Sequence, residues 1–101
     1  MKVSIIVPSF NQGNYIQRTL DSIYSQNYLD LEVIIVDGNS TDETFEVVKN
    51  YIPKPDVFIF EEDNGQSDAI NKGLLRATGD VVGWINSDDL LEENCINKIV
   101  Q

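Results

Sequence analysis

Asn86, Ser87, Asp88 and Asp89 stand together at the end of the apolar run Val81 to Ile85, just ahead of an apolar-patterned segment. Carboxylates delivered to the end of a strand make a site for a hard cation. Mg2+ and Mn2+ take oxygen ligands and keep waters or substrate phosphates in the remaining positions, so one or two protein carboxylates suffice. The same residues also suit a helix start, an N-cap followed by acids in the first turn, where the helix dipole favours them. This stretch alone leaves both readings open, and the rest of the chain bears on the choice.

Composition removes much other chemistry. The 101 residues include no histidine and one cysteine, Cys95. A His general base, a Ser-His-Asp triad, the common zinc sites and a disulfide within the chain are therefore excluded. Cys95 falls in an amphipathic pattern and is expected in the core. A net charge of −10 opposes nucleic acid and anionic membrane surfaces, which call for basic patches. A phosphorylated ligand on so acidic a chain needs a cation between the two sets of charges, which suits Asp88 and Asp89.

The hydrophobic fraction, 42%, is ordinary, so one domain over residues 1–101 with a single modest core is expected. No apolar stretch approaches the ~20 residues of a membrane helix. Val3 to Val7, stopped by Pro8, is too short for a signal peptide. The expected setting is cytoplasmic, or the cytoplasmic face of a membrane in a full-length parent.

Four strand-helix units must position these residues. Val3 to Val7, Leu31 to Val36, Val57 to Glu61 and Val81 to Ile85 are apolar, β-branched runs of strand length, as in a parallel sheet covered on both faces. Ile16, Leu20, Ile23 and Tyr24 fall at helical spacing from Asn14 on. Ser40 and Glu43 have the spacing of a capping box, ahead of Phe45, Val48 and Ile52 as a buried face that Pro53 and Pro55 close. Ala69, Ile70, Gly73, Leu74 and Ala77 fit a close-packed helix closed by Gly79 as a left-handed C-terminal residue. Cys95, Ile96, Ile99 and Val100 form the stripe of a last helix.

This succession implies a doubly wound α/β fold, a mainly parallel sheet with helices on both faces. Ligands bind such sheets outside the carboxyl ends of the strands, where strand order reverses. The loops Pro8 to Gln12, Asp37 to Thr41, Glu62 to Asp68 and Asn86 to Asp89 should face one crevice there. No G-x-G-x-x-G or Walker motif supplies a backbone cradle for phosphates; Pro8-Ser9-Phe10-Asn11-Gln12-Gly13 follows the first strand instead. Asp37 sits where such folds place a carboxylate that accepts hydrogen bonds from ribose or base, or it is a turn residue.

Four motifs, V-S-I-I-V-P-S-F-N, V-I-I-V-D-G-N-S-T-D-E-T, D-N-G…A-I-N-K-G-L and A-T-G-D-V-V-G-W-I-N-S-D-D-L, resemble in content and order the inverting glycosyltransferases of family 2. Those enzymes have the GT-A fold, so the chain would be the Rossmann-like half of one. The resemblance implies transfer of a sugar from a nucleotide diphosphate-sugar, UDP-type favoured, to an acceptor hydroxyl on a glycan, lipid or other compound, with Mn2+ or Mg2+. It places Pro8, Ser9 and Phe10 beside the base, Asp37 on base or ribose, and Asn86 on ribose. Ser87 lies in the same donor loop. Asp88 takes the divalent ion at the last position of the D-x-D motif, and Asp89 extends that acidic motif. Asp68 either faces the sugar nucleotide or caps its helix.

The chain departs from the family in three ways. Asn86 replaces the usual Asp, which removes a charge. Ala69-Ile70-Asn71 stands where many members have A-R-N, so that arginine's contact is lost or comes from Lys72 or Arg76. Members also continue into an acceptor-binding half that supplies the catalytic base; none is assigned here, and the isolated chain is expected to bind donor with little turnover. Self-association could cover the face left open. The alternative from another class is a receiver-like interaction module with an acidic Mg2+-binding edge, which Pro8-Ser9 after the first strand disfavours.

Overall fold

The computed structural model describes residues 1–100. Eight elements alternate: β1 (Val3–Ser9), α1 (Ile16–Tyr24), β2 (Leu31–Asp37), α2 (Thr44–Asn50), β3 (Val57–Phe60), α3 (Gln66–Arg76), β4 (Val81–Trp84) and α4 (Cys95–Val100). The strands form one sheet in the order β3-β2-β1-β4, with every pairing parallel. Strand order therefore reverses between β1 and β4, the switch point of a doubly wound sheet.

Side-chain alternation along β1 and β2 explains the two layers. Val3, Ile5, Val7, Val33 and Ile35 meet Ile16, Leu20 and Ile23 of α1, Val48 of α2 and Ile96 of α4 on one face. Ile6, Ile34 and Val36 meet Ala69 of α3 on the other. Each such aliphatic side chain stabilises the fold by about 1.5–3 kcal/mol on burial. Gly73 lets α3 lie close to the sheet: a Cβ there would sit 2.6 Å from Ile6 Cγ2. No helix among the described residues is long and apolar enough to cross a membrane.

Several boundaries differ from the sequence expectation. β1 runs through Pro8 and Ser9, which pair with Val36 and Asp37. Proline is tolerated there because β4 flanks β1 only from Val3 to Ile6, so one side of the strand is free beyond that point. β3 stops at Phe60 rather than Glu61, β4 at Trp84 rather than Ile85, and α1 starts at Ile16.

The capping box does not form: the Ser40 hydroxyl turns back to Asp37, and Thr44 N–H donates instead to Asp42 Oδ1 at 2.9 Å. Ile52 is 86% exposed, because α2 ends at Asn50 and a residue preceding proline is disfavoured in helical conformation. Gly79 is not left-handed; Gly65 is the positive-φ glycine. A Cβ at Gly79 would lie 2.5 Å from Ser4 Oγ, so glycine serves close approach rather than a helix cap. In α4 Ile96 is fully buried and Cys95 half-buried, whereas Ile99 faces solvent, as does Leu74 of α3.

Candidate functional site

Beyond the carboxyl ends of the strands lies a crevice of about 650 Å3, lined by residues at or after the ends of all four: Pro8, Ser9, Phe10 and Gln12; Gly38 and Asn39; Glu62, Asp63, Gly65, Gln66 and Ala69; Asn86, Ser87 and Asp88. The four loops thus converge as the topology requires. Asp37, Asp68 and Asp89 are not part of this lining.

The first wall is built by a zip between the loops after β1 and β2. Asp37 is fully buried; its carboxylate accepts from Ser40 N–H and Ser40 Oγ, both at 2.7 Å. The Ser40 hydroxyl in turn accepts from Asn11 N–H at 2.8 Å. Asn11 takes the left-handed conformation, with φ 51°, which asparagine tolerates, and its Oδ1 accepts from Thr41 N–H. Asp42 continues the zip, accepting from the Thr44 hydroxyl and from Gly13 N–H. Burial opposes the Asp42 charge, but hydrogen bonds from the Thr44 side chain and from the Thr44, Gly13 and Asp42 N–H groups hold its carboxyl below the usual range. Asp37 therefore shapes the wall that carries Phe10, with its own oxygens turned inward.

Opposite stands the loop between β3 and α3. Asp68 Oδ2 accepts from Asn64 N–H at 3.0 Å and lies 3.8 Å from Lys72 Nζ. Lys72 also donates to the Glu62 carbonyl at 2.9 Å. Asp68 thus fastens its own loop, and Lys72 is engaged there rather than in the crevice. Arg76 ends α3, about 15 Å along the helix from Gln66 at 1.5 Å per residue. Among the described residues, no lysine or arginine lines the crevice.

The loop after β4 rests on α1. Thr19, fully buried, shares its single hydroxyl proton between the carbonyls of Ser87 and Asp89, at 2.9 and 2.6 Å. Ser22 Oγ accepts from Leu91 N–H. Gln26 donates to the Glu92 carbonyl and accepts from Ile96 N–H. This strut presents Asp88 to solvent, where its carboxylate takes no hydrogen bond from the described residues. Asp89 Oδ2 accepts from Asn86 Nδ2 at 3.3 Å, and Gln66 Nε2 donates to Asn86 Oδ1.

No group of three or more His, Cys, Asp or Glu among the described residues is arranged to hold a metal ion. A cation here would take Asp88 together with ligand oxygens and water, the sparse protein coordination that Mg2+ and Mn2+ accept beside phosphates. The donor set therefore fits a hard cation that arrives with an anionic ligand. Ser9 adds a second indication: the residue is 5% exposed, and its Oγ is buried without a hydrogen-bond partner. Such a group costs stability unless something satisfies it.

Sequence reasoning placed Asn11, Ser40 and Gln66 in loops facing the crevice but missed their hydrogen-bonding roles, and it missed Thr19 altogether. Asn11 and Ser40 carried the signal of turn-forming types beside a strand end. Thr19 was one hydroxyl in an otherwise amphipathic helix, and its partners lie 68 and 70 residues away.

The family model for glycosyl transferase family 2 matches residues 4–101. An uncharacterized glycosyltransferase of Nostoc sp. is 35% identical over 100% of this chain, which covers 32% of that protein. The crystal structure of S. aureus TarS 1-349 in complex with UDP-GlcNAc superposes with a TM-score of 0.87 at 30% identity, covering 99% of this chain and 30% of that one. The mannosyltransferase PcManGT of Pyrobaculum calidifontis, in complex with GDP-Man and Mn2+, gives 0.84 at 35% identity, covering 92% of this chain and 29% of that one. The chain spans about a third of the length of each of these proteins. From its family match and its four-stranded parallel sheet, we conclude that this chain belongs to glycosyl transferase family 2.

Proposed function

We propose that the chain is the donor-binding part of an inverting glycosyltransferase and takes a nucleotide diphosphate-sugar into the crevice together with Mn2+ or Mg2+. The observation that carries this reading is an acidic crevice at the switch point, with Asp88 unpartnered and no cationic side chain in its lining among the described residues. A diphosphate cannot approach Glu62, Asp63 and Asp88 without a counter-charge. Neighbouring structures solved with UDP-GlcNAc, and with GDP-Man and Mn2+, support the ligand class.

In this reading Pro8, Ser9 and Phe10 take the base, with Phe10 offering a half-exposed ring and Ser9 its unpaired hydroxyl. Asp37 acts through Ser40 and Asn11, holding that wall rather than touching the nucleotide. Asn86 and Ser87 face the ribose and Asp88 holds the cation. Asp89 stays hydrogen-bonded to Asn86, and Asp68 keeps the β3–α3 loop in place. When bound, the cation supplies positive charge that stabilises the leaving diphosphate. None of these residues is assigned as the base that deprotonates the acceptor.

Calorimetric titration of UDP and GDP tests the reading. Saturable binding with Mn2+ that disappears in EDTA is expected for one of the two. Failure of both to bind in Mn2+ would overturn it.

A further inference from the structure

We propose that Gln66 is a positioning residue of the crevice, fixing the Asn86 amide in the orientation that receives the ligand; the proposal rests on the donor-binding reading above. Gln66 opens α3 after β3, and Asn86 follows β4. Those strands lie at opposite edges of the sheet, so the Gln66 Nε2 to Asn86 Oδ1 hydrogen bond joins two walls of the crevice. Both residues line it.

An asparagine side chain has two N–H donors and an oxygen with two lone pairs. Gln66 occupies one lone pair of Asn86, and Asp89 occupies one N–H. One N–H and one lone pair remain, a donor and an acceptor on the same amide, which suit the hydroxyls of a ribose. The same relay keeps the Asp89 carboxylate on the amide, leaving Asp88 as the carboxylate of this loop open to a cation. A carboxylate at position 86 would accept from Gln66 but could not donate to Asp89. That difference accounts for an amide at this place. Without Gln66 the Asn86 side chain regains its rotamers, and ordering it again weakens binding.

The test is a double-mutant cycle read by titration of UDP with Mn2+ into the wild-type chain, Gln66→Ala, Asn86→Ala and the double variant, with GDP in its place if GDP is the nucleotide bound. Gln66→Ala should weaken binding about 3- to 10-fold. In the Asn86→Ala background the same change should cost less than about twofold, because a residue acting through another has nothing left to position. The 2′,3′-dideoxy nucleotide should bind wild type and Gln66→Ala within about twofold of each other. Gln66 is exposed, so the variant should keep the wild-type melting temperature. Wild-type affinity in Gln66→Ala, or additive losses in the double variant, would overturn the proposal while leaving the donor site standing. Absence of nucleotide binding by the wild type would remove the donor site and this proposal together.

Discussion

Two carboxylates at opposite ends of the sheet have contrary surroundings. Glu32, near the start of β2, is almost fully buried. It accepts from the Ser4 hydroxyl at 2.8 Å, from Thr78 N–H at 2.9 Å and from the Thr78 hydroxyl at 3.0 Å, with Lys2 Nζ at 3.6 Å. Burial opposes its charge, yet the Thr78 and Ser4 hydrogen bonds and Lys2 hold its carboxyl below the usual range. Asp88, beyond β4, is exposed and has no such partners among the described residues. The first carboxylate is satisfied from within and joins β1, β2 and the α3–β4 turn. The second is satisfied by solvent alone among the described residues. On a protein of charge −10, this difference separates an acid that holds the fold from one that is proposed to serve a ligand.

Removing the buried acid should have the largest effect on stability. Glu32→Ala leaves buried hydroxyl and N–H donors unpaired and should cost about 2–4 kcal/mol. Thermal unfolding should show a drop of more than about 10 °C, with nucleotide affinity retained where the variant is folded. Acid probes the same contrast without mutation. Both Glu32 and Asp42 have folded values below their ordinary 4.5 and 3.8. Their stabilisation is therefore complete above those values and is lost as pH falls through the lower folded ones. Melting temperature should decline in that acid range, and Glu32→Gln should flatten the decline.

Thr19→Val breaks the strut under the crevice at similar volume. It should cost about 1–2 kcal/mol and weaken Mn2+-dependent nucleotide binding as well, because Ser87 and Asp89 lose their anchor. Ser9→Ala should be the mildest. Deleting an unpaired buried hydroxyl should leave stability unchanged or raise it by up to about 1 kcal/mol, while calorimetry should show nucleotide binding weaker by about 2- to 5-fold. A variant that spares the fold and harms the site is the reverse of Glu32→Ala.

The arrangement of the sheet was legible because β-branched runs such as Val3 to Val7 and Val33 to Val36 have no other stable use at that length between turn formers. Convergence of the four loops followed from topology alone. Element ends were less legible, since they depend on neighbours: Pro8 and Ser9 join β1 only because β2 continues beside them and β4 does not. The helix faces slipped where local rules competed. Pro53 cut α2 short and put Ile52 in water, and Asp37 drew Ser40 away from a capping role. At the site, the residues that touch the crevice were visible by type at the strand ends. Their supports, Thr19 in α1, Gln26 just beyond it and Gln66 in α3, act through hydrogen bonds across 20 to 70 residues, a separation that spacing within a helix does not encode.

Asp88 is the carboxylate proposed to hold the cation. Titrating UDP or GDP into wild type and Asp88→Ala, each in Mn2+ and in EDTA, tests this most directly. The expected result is saturable binding to wild type in Mn2+ alone, weakened more than about tenfold in Asp88→Ala, at an unchanged melting temperature. Equal affinity in the two proteins, or wild-type binding that survives EDTA, would contradict it.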